Sequence, residues 1–235
     1  MVEQYNLPLF VFQEPLKKDF EMTNKQLDYV APLTCQKCPR LADFIDRYRE
    51  QNPDWYNNPV PSFGPVSASV LILGLAPGLR GANATGRPFT GDFAGKVLYD
   101  ALIKTGFATG TYQATANDGI SLNNVRIANA VRCVPPQNKP NAAEIATCRP
   151  YLSKELGQMK ELKTILALGR IAHETILRHF HLRLKDFPFC HNRLQKLPNG
   201  LSMLSSYHCS RYNVQTKRLS LSMFDEVCAR LQSLT

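Results

Sequence analysis

The chain has 235 residues, 44% of them apolar, enough to fill the core of one large domain. Its 28 Lys and Arg outnumber 19 Asp and Glu, and the excess is lopsided: residues 1–124 carry 11 basic and 12 acidic side chains, whereas 125–235 carry 17 and 7. No internal repeat, biased tract or apolar stretch long enough for a membrane span or a signal h-region occurs, so the expectation is a folded, soluble, unexported cytoplasmic protein, with no membrane partner.

In chain order, the first chemical signal is Cys35-Gln-Lys-Cys38, a CxxC pair at the start of a helical pattern over 37–50. A short apolar run over 70–75 reads as a buried strand and leads into a glycine-rich loop, Gly74 to Asp92, followed by a helix over 94–104. A second strand spans 125–131, with Asn129 in it or just after it, and Cys133 follows. Cys148 falls within a helix over 142–158. A strand at 164–168 and a helix at 170–179 come next, then a strand at 203–207 that ends on His208. The last helix is predicted over 216–234, where Leu219, Met223, Phe224, Val227, Leu231 and Leu234 form one apolar stripe. Strands alternating with helices predict a three-layer α/β/α sandwich around a mainly parallel four-stranded sheet. A single domain over 1–235 is expected, with residues 1–32 packed on it as an extension.

Seven cysteines in an unexported chain do not suggest disulfides. Thiolates on a CxxC turn suit zinc or an iron–sulfur cluster, and spacing alone leaves iron–sulfur, zinc and no metal all open. In open parallel sheets, sites form beyond the carboxyl ends of strands. Three segments converge there: the Gly74–Asp92 loop, Asn129, and the Tyr207–Asn213 stretch. Glycines 74, 78, 81 and 86 permit close backbone approach. Phe89 and Asp92 can share one pocket, although Phe89 also reads as core and Asp92 as the cap of the helix that follows. A lone histidine such as His208 is more often a surface or a satisfied core residue than a functional one. The run Ser210-Arg-Tyr-Asn213 with Lys217 and Arg218 mixes an aromatic with basic and polar groups, which suits a nucleic acid backbone, as does the +10 carboxyl half.

Together the segments Gly74-Leu-Ala-Pro-Gly-Leu-Arg-Gly-Ala-Asn-Ala-Thr-Gly-Arg-Pro-Phe-Thr-Gly-Asp92, Asp118-Gly-Ile-Ser-Leu with Val131-Arg-Cys-Val-Pro-Pro-Gln-Asn-Lys-Pro140, and Ser206-Tyr-His-Cys-Ser-Arg-Tyr-Asn-Val-Gln-Thr-Lys-Arg-Leu219 resemble the uracil-DNA glycosylase superfamily, most closely its family 5, the iron–sulfur UDGb type. The likeness runs from about residue 33 to 219. It implies a monomeric DNA repair enzyme that hydrolyses the N-glycosidic bond of uracil, and of hypoxanthine or xanthine as well, in flipped-out nucleotides. It implies a [4Fe-4S] cluster on Cys35, Cys38, Cys133 and Cys148. His208 and Asp92 would be catalytic; Gly74, Leu75, Ala76, Gly78, Phe89 and Asn129 would hold the base; Arg87, Ser210, Arg211, Tyr212, Asn213, Lys217 and Arg218 would face DNA. Leu75 stands where related families place a polar catalyst. Cys209 replaces the proline usual after the histidine, which frees a dihedral in that loop. The rival readings are a non-catalytic iron–sulfur protein that binds nucleic acid, and a zinc-stabilised hydrolase using Asp92 and His208.

Overall fold

The computed structural model describes residues 28–235. The expected extension over residues 1–32 therefore lies outside the described residues up to residue 27. Beyond it Tyr29 and Ala31 are buried, and the Arg126 guanidinium sits 5.6 Å from the Tyr29 ring.

A five-stranded sheet runs through the molecule in the order β4-β1-β5-β7-β6. β1 (Val70–Gly74), β4 (Val125–Asn129), β5 (Thr164–Leu168) and β7 (Ser202–Ser206) are parallel and buried at every position, the signature of strands covered on both faces. The sheet has one strand more than the sequence predicts: β6 (Arg193–Lys196) pairs antiparallel with β7 at the edge, where Arg193 and Lys196 are exposed. A separate two-stranded ribbon joins β2 (Ala108–Thr109) to β3 (Ser121–Leu122).

Alternation along each strand assigns side chains to two cores. On one face Val70, Ile72, Leu166 and Leu204 pack against α3 (Phe93–Lys104) and α7 (Leu221–Gln232). On the other, Leu71, Leu73, Ile165 and Met203 meet α4 (Ala142–Gln158) and α5 (Arg170–His179). The result is the α/β/α sandwich. A third apolar cluster joins α1 (Pro39–Gln51) to Val131, Val134 and Tyr151 around the cysteines. A short α2 (Ala82–Thr85) lies within the first loop. The last helix begins later than its apolar stripe suggests. Lys217 adopts φ 56°, so a short α6 (Arg211–Gln215) ends there, and α7 restarts at the Ser220 cap, whose hydroxyl accepts from the Met223 N–H. No helix among the described residues is long and apolar enough to cross a membrane.

Candidate active site and cysteine centre

At the carboxyl ends of β1, β4 and β7 opens a cavity of about 590 Å³. Its lining brings together Leu75, Ala76, Gly78, Phe89, Asp92, Asn129, His208, Ser210 and Arg211, nine of the residues that the sequence predicts. Parallel pairing sets Gly74 beside Asn129 in register. A Cβ on Gly74 would fall 2.5 Å from Asn129 Oδ1 and 2.6 Å from Phe89 Cζ, so only glycine lets these side chains meet there. Asn129 is 2% exposed, and its Oδ1 is a buried acceptor with no hydrogen-bond partner among the described residues. Such an orphan costs roughly 1–3 kcal/mol unless a ligand donates to it.

Phe89 is both core and cavity wall. It is 7% exposed, and its ring stacks on His208 with centroids 5.7 Å apart. Its backbone takes φ 55°, unusual for a bulky residue, and neighbours hold it there. The Tyr99 hydroxyl donates to Pro88 O at 2.9 Å, and the Tyr112 hydroxyl accepts from Gly91 N–H at 3.2 Å. Arg87, expected to face DNA, does not. It is 5% exposed, forms a two-pronged ion pair with Asp118 at 2.7 Å on each arm, donates from Nε to Thr90 Oγ1, and lies between the Phe63 and Tyr99 rings. Arg87 is an internal strut of the Phe89 loop.

His208 is half-buried and opens onto the cavity. The apolar surroundings of its ring push its pKa down to about 4, so the imidazole is neutral at pH 7 and carries one N–H donor. Its carbonyl accepts from Asn213 Nδ2 at 2.8 Å, so that amide is spent inside the closing loop rather than offered outward. Cys209, expected to loosen the loop, is fully buried, and its thiol donates to Ala94 O at 3.5 Å, pinning the segment to the start of α3. Asp92 caps that helix, accepting from Gly95 N–H at 2.8 Å through Oδ1, while Oδ2 points toward Gly78 and Gly81. Although the carboxylate reaches the cavity's solvent, the cleft walls desolvate it and hold its pKa above the usual value, opposed by the N–H groups of Gly95 and Ala94.

Six lining residues were not among the expected site residues; Pro77, Ala82, Gly91 and Ala94 contribute small or apolar surface, and the two with aromatic or polar side chains are Phe93, at the first position of α3, and Asn138, in a turn where it and Gln137 both take positive φ. An aromatic beside the Asp92 cap and an Asn in a proline-rich turn were the available signals. Around the rim, Arg211 lies over the Phe93 ring, Tyr212 is 70% exposed, and Lys217 and Arg218 are exposed.

Cys35, Cys38, Cys133 and Cys148 line a second, small cavity with Lys37, Arg132 and Tyr151. Cys38 occupies the N-cap of α1, Cys133 follows β4, and Cys148 projects from α4. The two helix ends are braced by Glu144, whose carboxylate takes both arms of Arg40 at 2.7 Å and closes the capping box with Asn141. Arg132 N–H donates to Cys148 Sγ at 3.4 Å, and the Tyr151 hydroxyl lies 3.8 Å from Cys35 Sγ. Burial and the neighbouring cysteines raise Cys38 to about 11 and push Cys133 up as well. No three His, Cys, Asp or Glu among the described residues close around one metal ion. Four thiols line this cavity beside backbone and cationic groups, the ligand number that either an iron–sulfur cluster or a single zinc would use. Cys190 is exposed and Cys228 is buried in the α7 core.

Residues 61–232 match the family model of the uracil DNA glycosylase superfamily. The chain is 42% identical to a type-5 uracil-DNA glycosylase of Thermus thermophilus, over 88% of this chain and 96% of that one. It is 34% identical to the type-5 enzyme of Pyrobaculum aerophilum, over 86% of this chain and 90% of its relative. A type-4 enzyme of the same organism aligns over only 61% of this chain and 59% of its own length. The chain belongs to the uracil-DNA glycosylase superfamily, in its type-5 branch.

Proposed function

We propose that the protein is a DNA repair glycosylase that hydrolyses the N-glycosidic bond of uracil in DNA. The observation that carries this reading is the orphaned Oδ1 of Asn129, buried beside the Phe89 ring at the base of the cavity. Uracil presents an N3–H donor to such an acceptor. Cytosine presents a lone pair there, and leaving both acceptors unpaired in a buried site is costly. The Phe89 ring supplies a stacking face that any base can use. Hypoxanthine and xanthine also place an N–H beside a carbonyl, and the apolar Leu75 wall has no polar group to exclude them.

A base inside a stacked duplex cannot reach this cavity, so its nucleotide must be extruded at a cost of a few kcal/mol. Bond breaking leaves positive charge on the sugar and negative charge on the departing base. His208, neutral and stacked on Phe89, donates its N–H toward the base oxygen that gains charge. The backbone N–H groups of Ala76 and Gly78, without partners among the described residues, add donors on the opposite wall. Asp92 Oδ2, next to Gly78 and Gly81, orients the attacking water or steadies the sugar cation.

Cys35, Cys38, Cys133 and Cys148 would hold a [4Fe-4S] cluster. When bound, that group cross-links α1, the segment after β4, and α4. The test of the enzyme reading is incubation with a duplex carrying one uracil, followed by alkali. Strand scission at the uracil is expected from the wild type and a large loss from His208→Ala; a protein that binds the duplex but leaves it alkali-stable is a non-catalytic binder.

A further inference from the structure

The chain that carries His208 is held peptide by peptide, and the Ser206–Tyr207 peptide is gripped at both ends. On the β5 side the Ser206 carbonyl accepts from Gly169 N–H at 2.8 Å. On the opposite side the pairing of β6 with β7 stops at Arg193 and Ser205, and a side chain takes over from the strand. There His191 Nδ1 accepts from Tyr207 N–H at 3.2 Å. Past this point Tyr207 O accepts from the Ser206 hydroxyl at 2.8 Å, and His208 O accepts from Asn213 Nδ2 at 2.8 Å.

His191 is half-buried in the turn that leads into β6, outside all three loop motifs. Its ring lies parallel to the Tyr207 ring within 6°, with centroids 5.1 Å apart. A backbone N–H can only donate, so Nδ1 must present a lone pair and the ring proton must sit on Nε2. The turn itself is braced: Asn192 N–H donates to Ser205 O at 2.7 Å, and Arg230 of α7 donates to Asn192 O at 2.6 Å. The acceptor is thus mounted on fixed main chain. A donor that stabilises developing charge works only when it is aimed, and a misplacement of about 1 Å can cost roughly 100-fold in rate.

We propose that His191 is a positioning residue for His208: its Nδ1 and stacked ring fix the peptide that precedes His208, and with it the direction of the His208 N–H in the cavity. The proposal rests on the glycosylase reading, which supplies the reaction that this donor serves.

Two substitutions separate the acceptor from the ring. His191→Phe keeps a ring against Tyr207 and removes the acceptor, whereas His191→Asn removes the ring and places an amide oxygen near the position of Nδ1. Single-turnover excision of uracil at saturating enzyme is expected to fall roughly 10–100-fold in His191→Phe. Binding of a duplex bearing a tetrahydrofuran abasic analogue is expected to be unchanged, and His191→Asn to return near the wild-type rate. In a His208→Ala background His191→Phe is expected to slow the reaction no further, because the two residues act as a unit. A wild-type rate in His191→Phe, an equal loss in His191→Asn, or the same fold-loss in the His208→Ala background would overturn the proposal. NMR of ring-labelled histidines reads the geometry without the reaction. The His208 signal, identified by its absence in His208→Ala and sensitive to the Phe89 ring stacked on it, is expected to shift in His191→Phe and to return in His191→Asn. An unmoved signal in His191→Phe would also overturn the proposal. A wild type that failed to excise uracil would contradict the glycosylase reading and leave the NMR result interpretable.

Discussion

At Gly74, Asn129 and His208 the proposed chemistry rests on single atoms. A methyl group on Gly74 must displace either the Asn129 amide or the Phe89 ring, each already within 2.6 Å of that point. Gly74→Ala is therefore expected to fold with its sheet intact, by circular dichroism, and to lose most single-turnover excision. Removing the His208 donor is expected to slow the chemical step by roughly 100–1000-fold, as for the loss of one oxyanion donor. Its pH dependence is set by burial. The folded pKa of about 4 lies below the ordinary 6.5, so the active neutral ring persists as pH falls and is lost only near pH 4. The unfolded chain takes up its proton first, so this group also costs stability as pH falls from about 6.5 toward about 4. A single-turnover profile should have no His208-dependent limb near pH 6.5; one that vanished in His208→Ala would show an ionised working form. These residues were legible only through their motifs. A lone histidine after a strand has no distinguishing pattern, and the unpaired state of Oδ1 exists only once β1 and β4 are paired.

Among the elements, the Phe89 loop shows how a conformation with positive φ is kept. Arg87 and Asp118, 31 residues apart, meet in the core with the Asp118 side chain fully buried. The Arg87 guanidinium holds that carboxyl near pKa 2, below its usual 3.8, so the pair's contribution is present above about pH 3.8 and lost as pH falls through about 2. Asp118→Asn leaves a buried guanidinium without its counter-charge. Urea unfolding should show a loss of about 3–5 kcal/mol, as for other broken buried pairs. A loss of only a few tenths would mean that the strut is not needed. This partnership was not legible in advance, because an arginine in a polar loop reads as surface and its counter-ion lies across a ribbon of two-residue strands. The four parallel strands were legible from their unbroken apolar runs. β6 was not: Arg193–Lys196 is a polar edge, recruited by the free side of β7 rather than by its own pattern.

Over the whole molecule, two centres share one scaffold: β4 ends on Asn129 in the cavity, and the chain then runs four residues to Cys133. The apolar cluster around the cysteines joins α1 and α4 to the segment after β4, the strand that carries Asn129. The purified protein is expected to be brown, with a broad band near roughly 400 nm. Cys148→Ala should lose the band and lower the thermal midpoint; a colourless wild type with stoichiometric zinc would contradict the assignment. The CxxC pair was legible as a metal signal from its spacing, Cys133 and Cys148 were added only by the family resemblance, and the fold lines one small cavity with all four.

The central claim is that the unpaired Asn129 acceptor meets the N3–H of a flipped uracil. Single-turnover excision from matched duplexes carrying uracil or 3-methyluracil tests it most directly, with wild type and Asn129→Ala side by side. The wild type should cleave uracil and leave 3-methyluracil essentially intact, and Asn129→Ala should narrow that gap by slowing uracil. Equal wild-type rates on the two bases would contradict the account.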